Sequence, residues 1–537
     1  MDPLTRRAAL AAGAAAFVGG LAACGTGPSR TSARSSGTAA GSSTVPSTLA
    51  TTSTTVDPAR WLVEENARPG TPGWEVPSDP RIGPVVWDKV RGYASLTSVD
   101  RGGSVDLFVS TAAPEWRVEA YRIGWYGGVG ARTVKESAPQ KGGVQAAAVR
   151  LGATKTWVAP WQASLQVTAD REWPPGMYLL KLVSSDGGQS YVPLVVRDDR
   201  STAAVGVQSS VTTWQAYNQW GGANLYDGLP GSGGRSDVVS FDRPYYRRGS
   251  GEFFGREYEF VLFAERHGYD LTYWTDVDLH ADPSRAARHQ VVVSLGHDEY
   301  YSSEMRQGME GARDAGTNLL FLGANGCFRK IRLEDGATGR FRNQVDYRRV
   351  QGDPVAMADP SQATVSWREA PVGRPESSLI GNYYESNPVD AAMVVANPDS
   401  WVLEGTGLGL GAALPHMVAN EYDRVTPEAP TPENIEVVCH SPLVCRGRQS
   451  FADVTWYTTS SGAGVFAAGT FQWIPRLAAD TTGRTPSAAD TEAAVQQATR
   501  NLLDVCAKGP AGTVHPSRSN LEALGIRPGY VADPPGT

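Results

Sequence analysis

The run Val291-Val292-Val293-Ser294-Leu295-Gly296 constrains this chain more than any other stretch. It is apolar and β-branched and stops at a glycine, so it reads as a strand buried on both faces. Five polar or aromatic residues follow, His297-Asp298-Glu299-Tyr300-Tyr301. Ser302 or Ser303 then stands where a helix N-cap belongs, with Glu304 in the first turn, where the helix dipole favours negative charge. Met305, Met309 and Ala312 fall on one helical face, and Gly316 marks the end. A second apolar run, Leu319-Leu320-Phe321-Leu322, leads into Gly323-Ala324-Asn325-Gly326. Strand, helix and strand in this order predict a βαβ unit with parallel strands. The polar clusters 297–301 and 325–329 then sit at the carboxyl ends of neighbouring strands, the edge where open α/β sheets bind ligands.

That unit extends backwards. Residues 203–207 read as a first buried strand, 254–267 as a helix closed by Gly268, 271–274 as a strand and 283–288 as a short helix. The expected fold is an α/β doubly wound sheet over residues 199–508. Residues 60–198 have another texture. Segments 104–110 and 116–122 alternate, and Pro174-Pro175-Gly176 supplies a turn. Short strands at this spacing predict an all-β immunoglobulin-like sandwich. Between 335 and 490 strands and loops mix, residues 491–506 read as an amphipathic helix, and 509–537 as a loose tail.

The beginning of the chain reads as a targeting segment. Arg6-Arg7 precedes an Ala-rich apolar run too short to span a membrane, and the pattern is that of a twin-arginine signal peptide, residues 1–24. Leu21-Ala22-Ala23-Cys24 has the form of a lipobox, with Cys24 as the lipidated residue. Residues 25–59 are almost all Ser, Thr, Gly, Ala and Pro, a composition that reads as a disordered tether. The expectation is an exported protein, lipid-anchored on the outer face of the cytoplasmic membrane. Outside the cytoplasm disulfides are permitted, and Cys439 and Cys445 are expected to close a small loop. A net charge of −7 gives no reason to expect a nucleic-acid partner.

The chemistry is less explicit. The sequence carries no Gly-x-Ser-x-Gly elbow, His-Glu-x-x-His pair or P-loop. His297, Glu299 and Asn325 are the catalytic candidates because the two strand ends deliver them to one edge. Tyr300 offers a phenol, a metal ligand only for a strong Lewis acid such as ferric iron, and such an ion wants a carboxylate beside it, for which Glu421 is a candidate along with Glu299 and Asp298. The aromatic stretch 213–226 reads as a long loop, with Trp214, Tyr217 and Trp220 as a ligand-binding wall or as a packed loop without ligand. Cys327 as nucleophile with His297 as base is a further route.

Gly296-His297-Asp298-Glu299-Tyr300, Leu322-Gly323-Ala324-Asn325, Asn420-Glu421-Tyr422-Asp423-Arg424 and Gly462-Ala463-Gly464-Val465 together resemble the catalytic-chain domain of the N,N-dimethylformamidase family. The stretch 214–226 and Asp242-Arg243-Pro244-Tyr245 look like those of exported bacterial members, and the likeness runs from about Trp61 to Cys506. The resemblance implies a glutamine-amidotransferase-like sheet and a mononuclear iron held by two tyrosines and one glutamate, which polarises an amide carbonyl and activates water. Carried onto this sequence, Glu421 is the carboxylate and Tyr300 a phenolate. The pattern departs at Phe328, which stands where the family has a tyrosine. Two functions follow as expectations: an extracytoplasmic hydrolase of an amide-like C–N bond, or a surface lipoprotein that binds a small molecule or envelope glycan without catalysis.

Overall fold

The twenty-residue strand Ser104–Ile123 is the spine of the first sheet. The computed structural model describes residues 60–77, 86–478 and 488–526; the leader, Cys24, the stretch 25–59 and the end of the tail lie outside them. Val90–Ala94, Ala131–Glu136, Gln140–Gly143, Leu165–Thr168 and Gly176–Ser184 all pair antiparallel with the spine. Gln189–Arg197 flanks Gly176–Ser184, and Ser98–Asp100 runs parallel to its end. All eight strands form one hydrogen-bonded sheet. This corrects the expected two-sheet immunoglobulin-like sandwich. The strand runs on through Pro114, where the pairing shifts register between Thr111 and Glu115. Such a bulge accommodates the missing N–H without ending the strand. Val105, Leu107, Val118, Leu180, Leu182 and Val192 are buried together in the sheet's core.

The second sheet has seven strands, in the order Leu271–Thr275, Val205–Ser209, Val291–Gly296, Asn318–Gly323, Gly464–Ala467, Arg448–Thr458, Glu436–Cys445. The first five run parallel and the last two antiparallel. Alternate side chains go to opposite faces. Val291, Val293, Leu295, Leu320 and Leu322 pack with Phe260, Leu502 and Leu503 on one face. Val292, Leu319 and Phe321 pack with Met305, Met309 and Ala312 on the other. The helix Ser303–Asp314 begins where the sequence places it, with the Ser302 hydroxyl accepting the Met305 N–H at 3.2 Å.

The α/β doubly wound, amidotransferase-like class is nevertheless overturned. Strand outweighs helix, 35% to 20%, and the strands are spread over several sheets. Strand and helix alternate only as far as Gly323. Beyond it comes the antiparallel hairpin Tyr383–Val394 with Ala413–Arg424, and a separate four-stranded mixed sheet joins Val238–Ser240, Asn343–Val345, Arg329–Glu334 and Tyr300–Ser302, its last pair parallel. The sequence reading extended one well-marked βαβ unit to a region that mostly lacks its pattern.

The two large sheets meet through buried charge. Arg122, at the end of the spine, makes a two-pronged pair with Glu265 of the helix Tyr258–Arg266 at 2.7 and 2.9 Å, and both side chains are wholly buried. Tyr273 and Asn66 also donate to Glu265, at 2.8 and 3.0 Å. Tyr126 donates to Glu65 at 2.8 Å and accepts from Arg122 at 3.0 Å. Trp125 lies under the Arg266 guanidinium, so this aromatic pair docks the sheets rather than offering a sugar platform.

Candidate functional site

Neighbouring strands end side by side at the site. Val291–Gly296 and Asn318–Gly323 pair in register up to Gly296 opposite Gly323. Both ends demand glycine. Gly296 has φ +61°, and a Cβ there would lie 2.4 Å from the Arg256 carbonyl oxygen; one at Gly323 would lie 1.5 Å from the Gly296 oxygen. The chains therefore turn out of the sheet at close quarters, and the polar tips share one space. Asn325 follows in the left-handed region at φ +56°. Its N–H is held by both oxygens of Asp423, at 2.8 and 3.0 Å. Asp423 and Glu421 lie two apart on the strand Ala413–Arg424, hence on one face of it. The hairpin strand thus brings Glu421 to the Asn325 turn. Burial pushes the Asp423 carboxyl up to about 8, against the pull of the Asn325 N–H.

His297 occupies the centre, 5% exposed. Its Nδ1 lies 3.7 Å from Glu252 Oε2, and its Nε2 lies 3.1 Å from Glu299 Oε2 and 3.8 Å from Glu421 Oε2. Burial alone would lower its pKa, but the carboxylates of Glu252, Glu299 and Glu421 outweigh burial and push it up to about 10. The imidazole is therefore a cation at neutral pH. Burial raises Glu421 to about 7, with His297 and Asn325 pulling down and Glu299 pushing up. Asn387 donates to Glu421 Oε1 at 3.3 Å. Glu299 is wholly buried and held by two phenols: Tyr217 donates to Oε2 at 2.7 Å and Tyr226 to Oε1 at 3.1 Å. Thr213 fixes the turn by accepting the Glu299 N–H at 3.0 Å.

Three atoms here stand out. Glu421 Oε2 and Asn325 Oδ1 are buried and make no hydrogen bond, and His297 Nε2 meets only the carboxylates of Glu299 and Glu421, at 3.1 and 3.8 Å. A buried polar atom without a partner costs about 1–3 kcal/mol. The two unbonded oxygens call for a hydrogen-bond donor such as water, with His297 Nε2 3.8 Å from Glu421 Oε2.

The structure brings together His297, Glu299, Asn325, Glu421 and Tyr217. It separates others. The stretch 213–226 is not one long loop, because Val211–Tyr217 is helical. Trp214, on its inner side, is 2% exposed and packs on Phe253 and Tyr245. Trp220 packs edge-on against Trp161, 5.8 Å between centroids. Neither tryptophan forms a ligand wall; the aromatic wall is Tyr217 stacked on Tyr226 at 4.8 Å, with Phe471 against His297. Glu252 and Asn387 gave no signal in the sequence, since each lies in a segment without period or motif. Tyr226 was visible only as one aromatic among many.

Tyr300 is fully buried, and its hydroxyl accepts from Arg348 at 3.4 Å. The groups bonded to Glu421 are Asn387 and Asn325. Phe328 packs on Tyr384, 5.1 Å between ring centroids, and offers no oxygen. Among the described residues, no group of three or more His, Cys, Asp and Glu is arranged to hold a metal ion. Phe328 therefore leaves Tyr300 and Glu421 without the second phenol that the resemblance expects at that position.

Cys439 and Cys445 are separate, buried thiols. They lie near opposite ends of one strand, Glu436–Cys445, and six residues of extended chain span about 20 Å, far beyond disulfide reach. The expected bridge is therefore corrected. Cys327 is wholly buried, and burial raises its thiol to about 12, so it is no nucleophile at neutral pH.

The sequence matches the family described as N,N-dimethylformamidase beta subunit-like, C-terminal, over residues 117–487. No curated protein matches it.

Proposed function

The chain belongs to the N,N-dimethylformamidase beta subunit-like family, and from that premise we propose that it hydrolyses an amide-like C–N bond with Glu421 and His297 as its acid–base pair. Family membership is consistent with a hydrolase. The observation that carries the finer reading is Glu421 Oε2, a buried oxygen without a hydrogen bond, set 3.8 Å from His297 Nε2 and beside the Asn325 side chain.

The protonation states suit the chemistry. A general base works best with a pKa near the working pH, and Glu421 titrates at about 7. Its carboxylate takes a proton from a water that attacks the carbonyl carbon. The cationic His297 lies beside the carbonyl oxygen and stabilises the negative charge that develops there. As the tetrahedral centre collapses, the C–N bond breaks and the Glu421 carboxyl returns the proton to the departing nitrogen. The products are a carboxylic acid and an amine. Glu252 behind Nδ1 and Glu299 beside Nε2 keep the imidazole charged and oriented. Asn387 and Asn325 aim the Glu421 carboxyl.

The test is proton NMR of carboxylate and amine release from a panel of simple formamides and acetamides. The full chain is expected to turn over at least one of them, and Glu421→Gln none. Turnover that survives Glu421→Gln contradicts the assignment, and binding without turnover favours a ligand-binding role instead. The twin-arginine leader and Cys24 support placing this activity outside the cytoplasm on a lipid anchor. Labelling with a radioactive fatty acid in a Cys24→Ser comparison tests that placement.

A further inference from the structure

We infer that the substrate carries an anionic group, a carboxylate, seated at Arg348 beside the Tyr226 ring at the mouth of the site. The inference rests on the amide-hydrolysis reading and narrows its substrate class. The mouth is marked by Tyr226, 42% exposed at the edge of an otherwise buried cluster. Its hydroxyl reaches inward to Glu299, and the Arg348 guanidinium lies over its ring, 4.5 Å from the centroid. A guanidinium on an aromatic face is held flat, which suits two-pronged carboxylate recognition.

The charge around Arg348 is not balanced. Asp346 pairs with both Arg329 and Arg348, at 2.9 and 3.2 Å. Asp237 pairs with both Arg235 and Arg349, at 3.1 Å each. Four guanidinium groups thus share two carboxylates, in a chain whose net charge is −7. Glu299 adds a third negative charge within range of Arg348, but it is shared with His297 and held by two phenols. Burial lowers the Arg235 pKa, and Arg348 adds its repulsion.

A second observation is independent of charge. Arg348 has φ +62°, a left-handed conformation that a non-glycine residue avoids. The Arg348 N–H, bonded to the Thr364 carbonyl at 2.7 Å, holds it there. Strained backbone of this kind gathers at ligand clamps. Here it delivers a partly exposed guanidinium to the mouth.

The test is calorimetric binding to the full chain carrying Glu421→Gln, which removes the base but keeps the pocket. The probes are N-formylglycine, N-formyl-β-alanine, N-formyl-γ-aminobutyrate and neutral N-propylformamide. At least one anionic probe is expected to bind about tenfold tighter than the neutral one, with the gap closing as salt rises. Adding Arg348→Gln is expected to erase the gap, and Arg348→Lys to keep part of it. Equal binding of anionic and neutral probes, no binding by any probe, or a preference that survives Arg348→Gln overturns the inference. Turnover by the unmodified chain reads out separately. Cleavage of N-propylformamide without anion preference sinks the Arg348 seat and leaves hydrolysis standing. Anion preference with no cleavage of any probe does the reverse.

Discussion

Two buried charge clusters, of similar size and depth, differ in how they are completed. At the junction of the sheets, Arg122 and Glu265 are wholly buried, and their polar atoms are answered by each other and by Tyr126, Tyr273 and Asn66. At the strand ends, His297, Glu421 and Asn325 are almost as deeply buried, yet Glu421 Oε2 and Asn325 Oδ1 make no hydrogen bond. A closed network locks two elements in one geometry. An open one retains a desolvation cost that a ligand relieves on binding. Burial of charge alone does not distinguish structure from chemistry in this molecule; unbonded oxygens beside a charged imidazole set the second cluster apart.

The comparison breaks most visibly if Glu421 is changed. Glu421→Gln keeps the shape and removes the base, so turnover is expected to fall about 10²–10⁴-fold, with cooperative melting retained. A comparable loss of turnover in Glu265→Gln, measured in the same assay on folded protein, erases the distinction. The expected effect of Glu265→Gln lies elsewhere. It leaves Arg122 buried without a counter-charge, which costs about 3–5 kcal/mol, read by urea denaturation, while turnover of the folded fraction stays near normal. A smaller effect belongs to Tyr226→Phe, which removes one of two phenolic donors to Glu299. A donor to a charged group contributes about 1.5–3 kcal/mol, so kcat/KM is expected to fall by roughly tenfold or more without loss of fold. The smallest is Cys439→Ala. With no bridge to Cys445, its cost is expected to be that of a trimmed core side chain, about 1 kcal/mol, and equal under oxidising and reducing conditions. A stability loss seen only under oxidising conditions reinstates the disulfide.

Legibility in the sequence followed locality. The helix after Ser302, its apolar stripe and both glycine strand ends were readable, because caps and periods act within a few residues. The two tips at His297 and Asn325 were placed at one edge by the same local logic. The pairing of the strand Ser104–Ile123 was not readable, since it depends on partner strands far away in the chain. The doubly wound class failed for a related reason: one strong βαβ signal said nothing about the antiparallel hairpins after Gly323. Trp214 and Trp220 were misassigned because an aromatic run looks alike whether it lines a pocket or fills a core. Glu252, Asn387 and Arg348 were illegible, since each joins the site across a long sequence separation and carries no motif. Glu421 was one of three candidate carboxylates by residue type, and the family resemblance singled it out.

The most direct test is the pH dependence of kcat/KM for whichever formamide the chain cleaves. Activity needs Glu421 ionised and His297 protonated, so the profile is expected to be a bell. It rises as Glu421 loses its proton near pH 7 and falls as His297 loses its own near pH 10. Glu252→Gln takes one carboxylate from beside His297 and is expected to move the falling limb to lower pH while leaving the rising limb in place. A profile flat from pH 6 to 10, or a falling limb that Glu252→Gln does not move, contradicts the assignment of His297 and Glu421 as the working pair.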